Sequence, residues 1–125
     1  MFTKFLLIVF AIGAILLLSD TLVRAATPVE TRGQELFTRR CSGCHALDIN
    51  KEGPALRGIH GRKAAAVPGF IYSEALKRKN IQWTDATLDQ WLSDPDAMVP
   101  DTDMAFRVTS ADERSALIAF LKSLR

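Results

Sequence analysis

The chain has 125 residues, 48% of them apolar, with 16 basic and 14 acidic side chains and two cysteines. That is material for one small domain, and a formal charge of +2 excludes the clustered basic surface a nucleic-acid binder needs. A core drawn from roughly 100 residues buries about two thirds of its unfolded surface, so a staple or a cofactor is expected.

In chain order, the first feature is an export segment. Lys4 precedes an unbroken apolar stretch from Phe5 to Leu18, and a polar exit ends at Val23, Arg24 and Ala25. The stretch is about 14 residues, short of the ~20 that cross a bilayer as a helix. Val23 and Ala25 provide the small residues that a signal peptidase requires. Residues 1–25 therefore read as a cleaved signal peptide and 26–125 as the exported domain; the alternative is an uncleaved membrane anchor. Loss of residues 1–25 removes Lys4, Arg24 and Asp20 and leaves the domain near neutral.

Thr27-Pro28-Val29-Glu30 combines an N-cap, a proline at the first helical position and a Glu three after the cap. It predicts a helix from about Pro28 to Thr38 with Val29, Gly33, Leu36 and Phe37 on one face. Residues 46–68 read as loop, punctuated by Gly53-Pro54, Gly58, Gly61 and Pro68-Gly69. Short helices are expected over Ser73–Lys79 and over Asp85–Ser93, the second capped by Thr84 and burying Leu88, Trp91 and Leu92. Ser110-Ala-Asp-Glu113 reads as a second capping box. It opens a helix to about Leu124 with an apolar stripe of Leu117, Phe120, Leu121 and Leu124. No strand pattern or repeat is present, so the fold class is all-α.

The chemistry lies in CSGCH, Cys41 to His45. An exported cysteine pair is most simply a disulfide, but one spanning two residues closes a tiny loop and removes little entropy from the unfolded chain. A thioredoxin-like pair needs a βαβ setting that is absent. Structural zinc needs two further ligands, and only His60 remains. Cys-x-x-Cys-His is the attachment signal for c-type haem: two thiols on one turn reach two vinyl groups, and the adjacent imidazole lies under the iron. A helical domain with long loops and a thin core is one that a haem would fill.

Beyond CSGCH, the stretches GPALRGIHGRK, PGFIYSEALK, IQWT, SDPDAMVPDTDMAF and ERSALIAFLK occur in order. On these, residues 33–125 resemble the class I cytochromes c of the mitochondrial and bacterial short-chain type. The resemblance implies a single-electron carrier with three main helices around one haem c, bound through Cys41 and Cys44. Helices one and last would cross at Gly33, beside Phe37 and Phe120. It implies His45 and Met104 as axial ligands, Met98 as packing and His60 as a surface residue. The Pro54 carbonyl would accept from the His45 ring. Arg62, Tyr72 and Trp83 would bind the haem propionates, joined by Thr102 for the other propionate. Implied partners are redox proteins (an oxidase, a reductase or a bc1-type complex), with no nucleic acid, a monomeric state, and an extracytoplasmic location such as the periplasm.

Five departures stand out. Trp91 replaces a tyrosine whose hydroxyl contacts the Met sulfur in the family, and an indole donates from a different place, which leaves that hydrogen bond an open question. Leu76 replaces an asparagine, and together the two changes predict a drier pocket on the Met side. Ala65 stands where glycine is common, and the segment from His45 to Pro54 is shorter than in mitochondrial members. The Met-side loop carries Asp94, Asp96, Asp101 and Asp103 with no basic residue before Arg107, where mitochondrial relatives present lysines. Arg39 and Arg40 beside the attachment site and the run Lys77-Arg78-Lys79 are basic, so a mixed or acid-leaning haem face is expected, which implies a partner other than a typical acidic-faced oxidase. The contrasting class is a haem peroxidase, which would need a labile Met ligand.

Overall fold

A computed structural model describes residues 24–125; the export segment expected over 1–25 lies outside them except for its last two residues. Five helices follow in order: α1 (Pro28–Arg40), α2 (Glu74–Lys77), α3 (Asp85–Ser93), α4 (Pro95–Met98) and α5 (Ala111–Ser123). Among the described residues no helix is long and apolar enough to cross a membrane. The only ladder-like pairing among them is an isolated antiparallel bridge between Lys63 and Gln82.

Local chemistry starts each helix where its caps predict. The Thr27 hydroxyl accepts from Glu30 N, and the Glu30 carboxylate accepts from Thr27 N at 2.7 Å. Together they satisfy two of the donors a helix N-terminus leaves unpaired. This capping bond is the main reason the Glu30 carboxyl titrates below its usual range. α1 buries Gly33, Leu36 and Phe37, but also Glu30, while Val29 stays 44% exposed. The expected face is therefore rotated by one residue, because the capping box draws the Glu30 side chain back against the chain start. α1 also runs two residues past Thr38, to Arg40.

α3 begins as expected after Thr84, with Thr87 completing a capping box. α2 is shorter than Ser73–Lys79: Ser73 is its cap, and Arg78 its C-cap. α4 was not expected; Pro95 occupies its first turn and the Asp94 carboxylate accepts from Ala97 N. At α5 the Ser110 hydroxyl accepts from Glu113 N, but the box is only half made. The Glu113 carboxylate instead pairs with Arg40 of α1.

α1 and α5 cross at Gly33. A β-carbon there would stand 2.0 Å from the Ala116 carbonyl oxygen, so only glycine lets the backbones approach this closely. Phe37 and Phe120 meet at the crossing with ring centroids 5.7 Å apart. Around it, Leu36, Leu88, Leu92, Val99, Val108, Leu117 and Leu121 make one core. Arg114 of α5 ties this layer to α3 and to the preceding loop through Asp89 and the carbonyls of Val108 and Thr109.

Candidate functional site

One side of this core is hollow. A cavity of about 310 Å³ opens between the chain segment after α1 and the segment preceding α5. Cys41, Cys44 and His45 line it, and so do Trp91, Thr102 and Met104.

The first three are placed by α1. Cys41 is its C-cap, Ser42 N returns to the Phe37 carbonyl, and His45 N bonds to the Cys41 carbonyl at 2.8 Å. The turn thus points both thiols and the imidazole toward one space. No disulfide joins Cys41, half-buried, to Cys44, exposed. Burial pushes the Cys41 thiol up, an effect partly opposed by the Arg40 guanidinium.

Gly53 N donates to the Cys44 carbonyl at 2.8 Å and brings the Gly53-Pro54 step under the imidazole. The His45 Nδ1 lies 2.8 Å from the Pro54 carbonyl oxygen. A carbonyl can only accept, so Nδ1 carries the proton and Nε2 retains its lone pair for a metal. A β-carbon at Gly53 would fall 2.3 Å from Cε1 of this ring. The glycine is therefore a cradle for the histidine, a role that its motif in the sequence did not disclose.

Elsewhere in the lining, Trp91 Nε1 donates to Met104 Sδ at 3.3 Å. The indole thus makes the sulfur contact that its substitution for tyrosine had left open, and it reaches because α3 turns Trp91 inward against Trp83, ring centroids 5.3 Å apart. Leu76 is buried and lines the same space, which matches the apolar Met side expected of these two residues. Met98 is half-buried against the core, remote from this lining.

Of the residues expected to hold propionates, Tyr72, Trp83 and Thr102 line the cavity. The Tyr72 hydroxyl accepts from Val67 N and keeps its own proton to donate; burial pushes its pKa up. Arg62 does not line the cavity, because its guanidinium is drawn to the Arg57 carbonyl at 3.3 Å. His60 is less exposed than expected: its Nε2 donates to the Asp85 carboxylate at 2.6 Å, which Lys122 also contacts. Phe70, packed edge-on against Tyr72, lines the cavity as well; contributed by an irregular loop, it carries no periodicity that sequence reading could use.

Ala65 lines the cavity with φ +58°, and Asp101 in the Met104 segment has φ +64°. Both lie in the left-handed region that side chains disfavour. Ala65 holds there the conformation that a glycine would adopt freely.

A model of the cytochrome c family matches residues 30–125. The chain belongs to that family. It is 44% identical over 95 residues to a cytochrome c of Gibberella zeae, covering 73% of this chain and 90% of the relative. It is 40% identical over 97 residues to a cytochrome c of Euglena viridis, covering 75% and 95%. Among solved structures, cytochrome cH from Methylobacterium extorquens superposes with TM-score 0.72 at 36% identity, covering 75% of this chain and 97% of that one. The protein is thus a class I mono-haem cytochrome c, all-α in fold, an electron-transfer protein carrying covalent haem c. The cavity fits that group: a thiol pair on one turn, an imidazole with Nε2 left as acceptor, a thioether in the same lining, and otherwise largely apolar walls.

Proposed function

We propose that this protein carries single electrons outside the cytoplasm with His/Met axial ligation, His45 through Nε2 and Met104 through Sδ. The observation that carries the reading is the pairing of two fixed donors across one cavity, His45 held by Pro54 and Met104 held by Trp91. When bound, haem c would supply the one-electron chemistry, and a thioether ligand would favour its reduced state. Cys41 and Cys44 are the attachment points. Pro54 orients the imidazole and raises its basicity. Tyr72, Trp83 and Thr102 are the propionate donors at the cavity wall, whereas Arg62 lies outside the lining. The apolar walls exclude water, which limits the reorganisation that accompanies each change of charge.

The test is a redox titration followed by visible absorption, with Met104→Ala beside the wild type. Loss of the sulfur-to-iron band and a large fall in potential in the variant are expected. A wild type that lacks this band overturns the ligand assignment.

The redox partner presents a basic face. Asp94 is consumed by the α4 cap and by an ion pair with Arg107 at 2.9 Å. Asp96, Asp101 and Asp103 are exposed, without ion-pair partners among the described residues, and Asp103 and Glu52 stand at the cavity lining. Arg40, the basic residue of that lining, is engaged by Glu113. Charges so placed steer encounter toward a partner of opposite sign. Export by cleavage after Ala25 places this encounter in an extracytoplasmic space such as the periplasm; N-terminal sequencing that finds residues 1–25 retained would make the protein an anchored module instead.

A further inference from the structure

His45 aside, the titratable side chains with a charge to offer among the cavity-lining residues are Arg40, Glu52 and Asp103. Arg40 is already paired with Glu113. Arg62, the other cation expected near the cofactor, is turned to the Arg57 carbonyl and stays outside the lining. Glu52 and Asp103 are both exposed, and among the described residues neither has an ion-pair partner. The uncompensated fixed charge at the cavity is therefore negative.

Each of these carboxylates accompanies one proposed axial ligand. Glu52 immediately precedes Gly53, whose backbone meets the His45 ring, and Asp103 immediately precedes Met104. The rest of the lining is largely apolar, and a charge acts more strongly across such a medium than through water. One-electron reduction adds one negative charge within the cavity; the electron arrives from a donor protein, no bond breaks and no proton moves. Fixed carboxylates at the lining oppose that added charge. They favour the oxidised form and hold the potential down.

Their exposure makes the effect adjustable. A basic face laid over Glu52 and Asp103 offsets both charges, whereas a partner without cations there leaves them in place.

We propose that Glu52 and Asp103 set the potential of the site and couple it to docking. In the free protein the two carboxylates lower the potential. A basic partner covers them, the potential rises, and the docked protein accepts an electron more readily than the free one. Linkage requires the converse: the reduced protein binds a polycation more tightly than the oxidised one, by the same factor. The coupling rests on the basic-faced partner proposed above. The pull of the two carboxylates on the potential rests only on their place in the lining.

The test is potentiometry on the holoprotein at low ionic strength, with and without oligolysine as the polycation. Wild type, Glu52→Gln, Asp103→Asn and the double variant are compared, with Glu35→Gln as control, an exposed carboxylate of α1 outside the lining. Each single substitution is expected to raise the ratio of reduced to oxidised protein at a fixed applied potential by about two-fold, the size of one unit charge acting across a solvated rim. For one electron that is about 18 mV. Oligolysine raises the wild-type potential in the same direction, moves the double variant much less, and binds the reduced form more tightly. Glu35→Gln keeps the wild-type potential. A double variant with the wild-type potential overturns the proposal, and so does an equal shift in Glu35→Gln. An oligolysine shift of the same size in wild type and double variant overturns the coupling. The partner reading fails separately, on a fast electron transfer to an acidic-faced oxidase that collapses with salt, whatever the potentials show.

Discussion

The ring of His45 rests on the backbone of Gly53 with no room for a single added carbon. A β-carbon would lie 2.3 Å from Cε1, 2.6 Å from Nδ1 and 2.7 Å from Nε2. All three atoms belong to the group whose orientation the site depends on, and the ring is held from its other side by the Pro54 carbonyl. Gly53→Ala must therefore push the imidazole off that carbonyl. Overpacking of this kind costs about 1–3 kcal/mol, and the thermal midpoint of the holoprotein should fall accordingly. The ferric spectrum should also show weakened axial ligation. A variant with the wild-type spectrum and midpoint would mean that the loop yields instead of the ring.

Trp91→Phe keeps an aromatic ring but removes, with part of the indole, the N–H that reaches Met104 Sδ. A donor on the sulfur withdraws electron density from it, so its loss makes the thioether a better ligand for the ferric ion and lowers the potential. One neutral hydrogen bond is worth about 1 kcal/mol, which for a single electron is about 40 mV. Potentiometry on the two proteins checks the direction; an unchanged or raised potential contradicts it.

Ala65 holds φ +58° beside the cavity. Glycine takes this conformation without strain, whereas an L side chain there is strained by about 1 kcal/mol; glycine also gives back part of that through a freer unfolded chain. The net expectation for Ala65→Gly is a stabilisation of about a few tenths of a kcal/mol. Denaturant titration with an unchanged slope would measure it.

Asp85 at the start of α3 accepts from Lys122 and from His60. These two hydrogen bonds, the Lys122 one foremost, hold its carboxyl below the usual range. A carboxyl lowered in the folded state adds stability that is fully present above its unfolded value of about 3.9 and is lost as pH falls through the folded value. Asp85→Asn should therefore have a lower thermal midpoint than wild type at pH 7, with the gap closing below about pH 4. A gap that persists in acid would show that the asparagine disturbs the helix cap instead.

The acidic Met-side face makes a prediction about rates. With an acidic-faced oxidase, electron transfer should be slow at low salt and should quicken or stay level as salt screens the repulsion. Asp96→Lys with Asp103→Lys should reverse that dependence. A fast wild-type reaction that collapses with salt contradicts the proposed partner.

Much of this protein was legible before any coordinates. CSGCH, the capping residues Thr27, Thr84 and Ser110, and the stripe of Leu117, Phe120 and Leu121 all act within a few positions along the chain. Chemistry at that range is written directly in residue order. The motifs spaced from Gly33 to Phe106 likewise singled out His45 and Met104, which line one cavity, and Pro54, whose carbonyl meets the imidazole.

What residue order could not settle were contacts decided by packing. The Trp91 indole reaches the Met104 sulfur only because Trp83 turns it inward. Arg62, assigned to a propionate by resemblance, is held behind the wall by a carbonyl five positions away. Asp94 is paired with Arg107, and Glu113 abandons its own helix cap for Arg40, 73 positions distant. The sequence by itself determined the family, the cofactor and the local turns, because these depend on short spacings and covalent chemistry. Only the tertiary structure decided which donors face the sulfur and which charges remain for a partner, because each of those outcomes is a competition between groups that folding alone brings together.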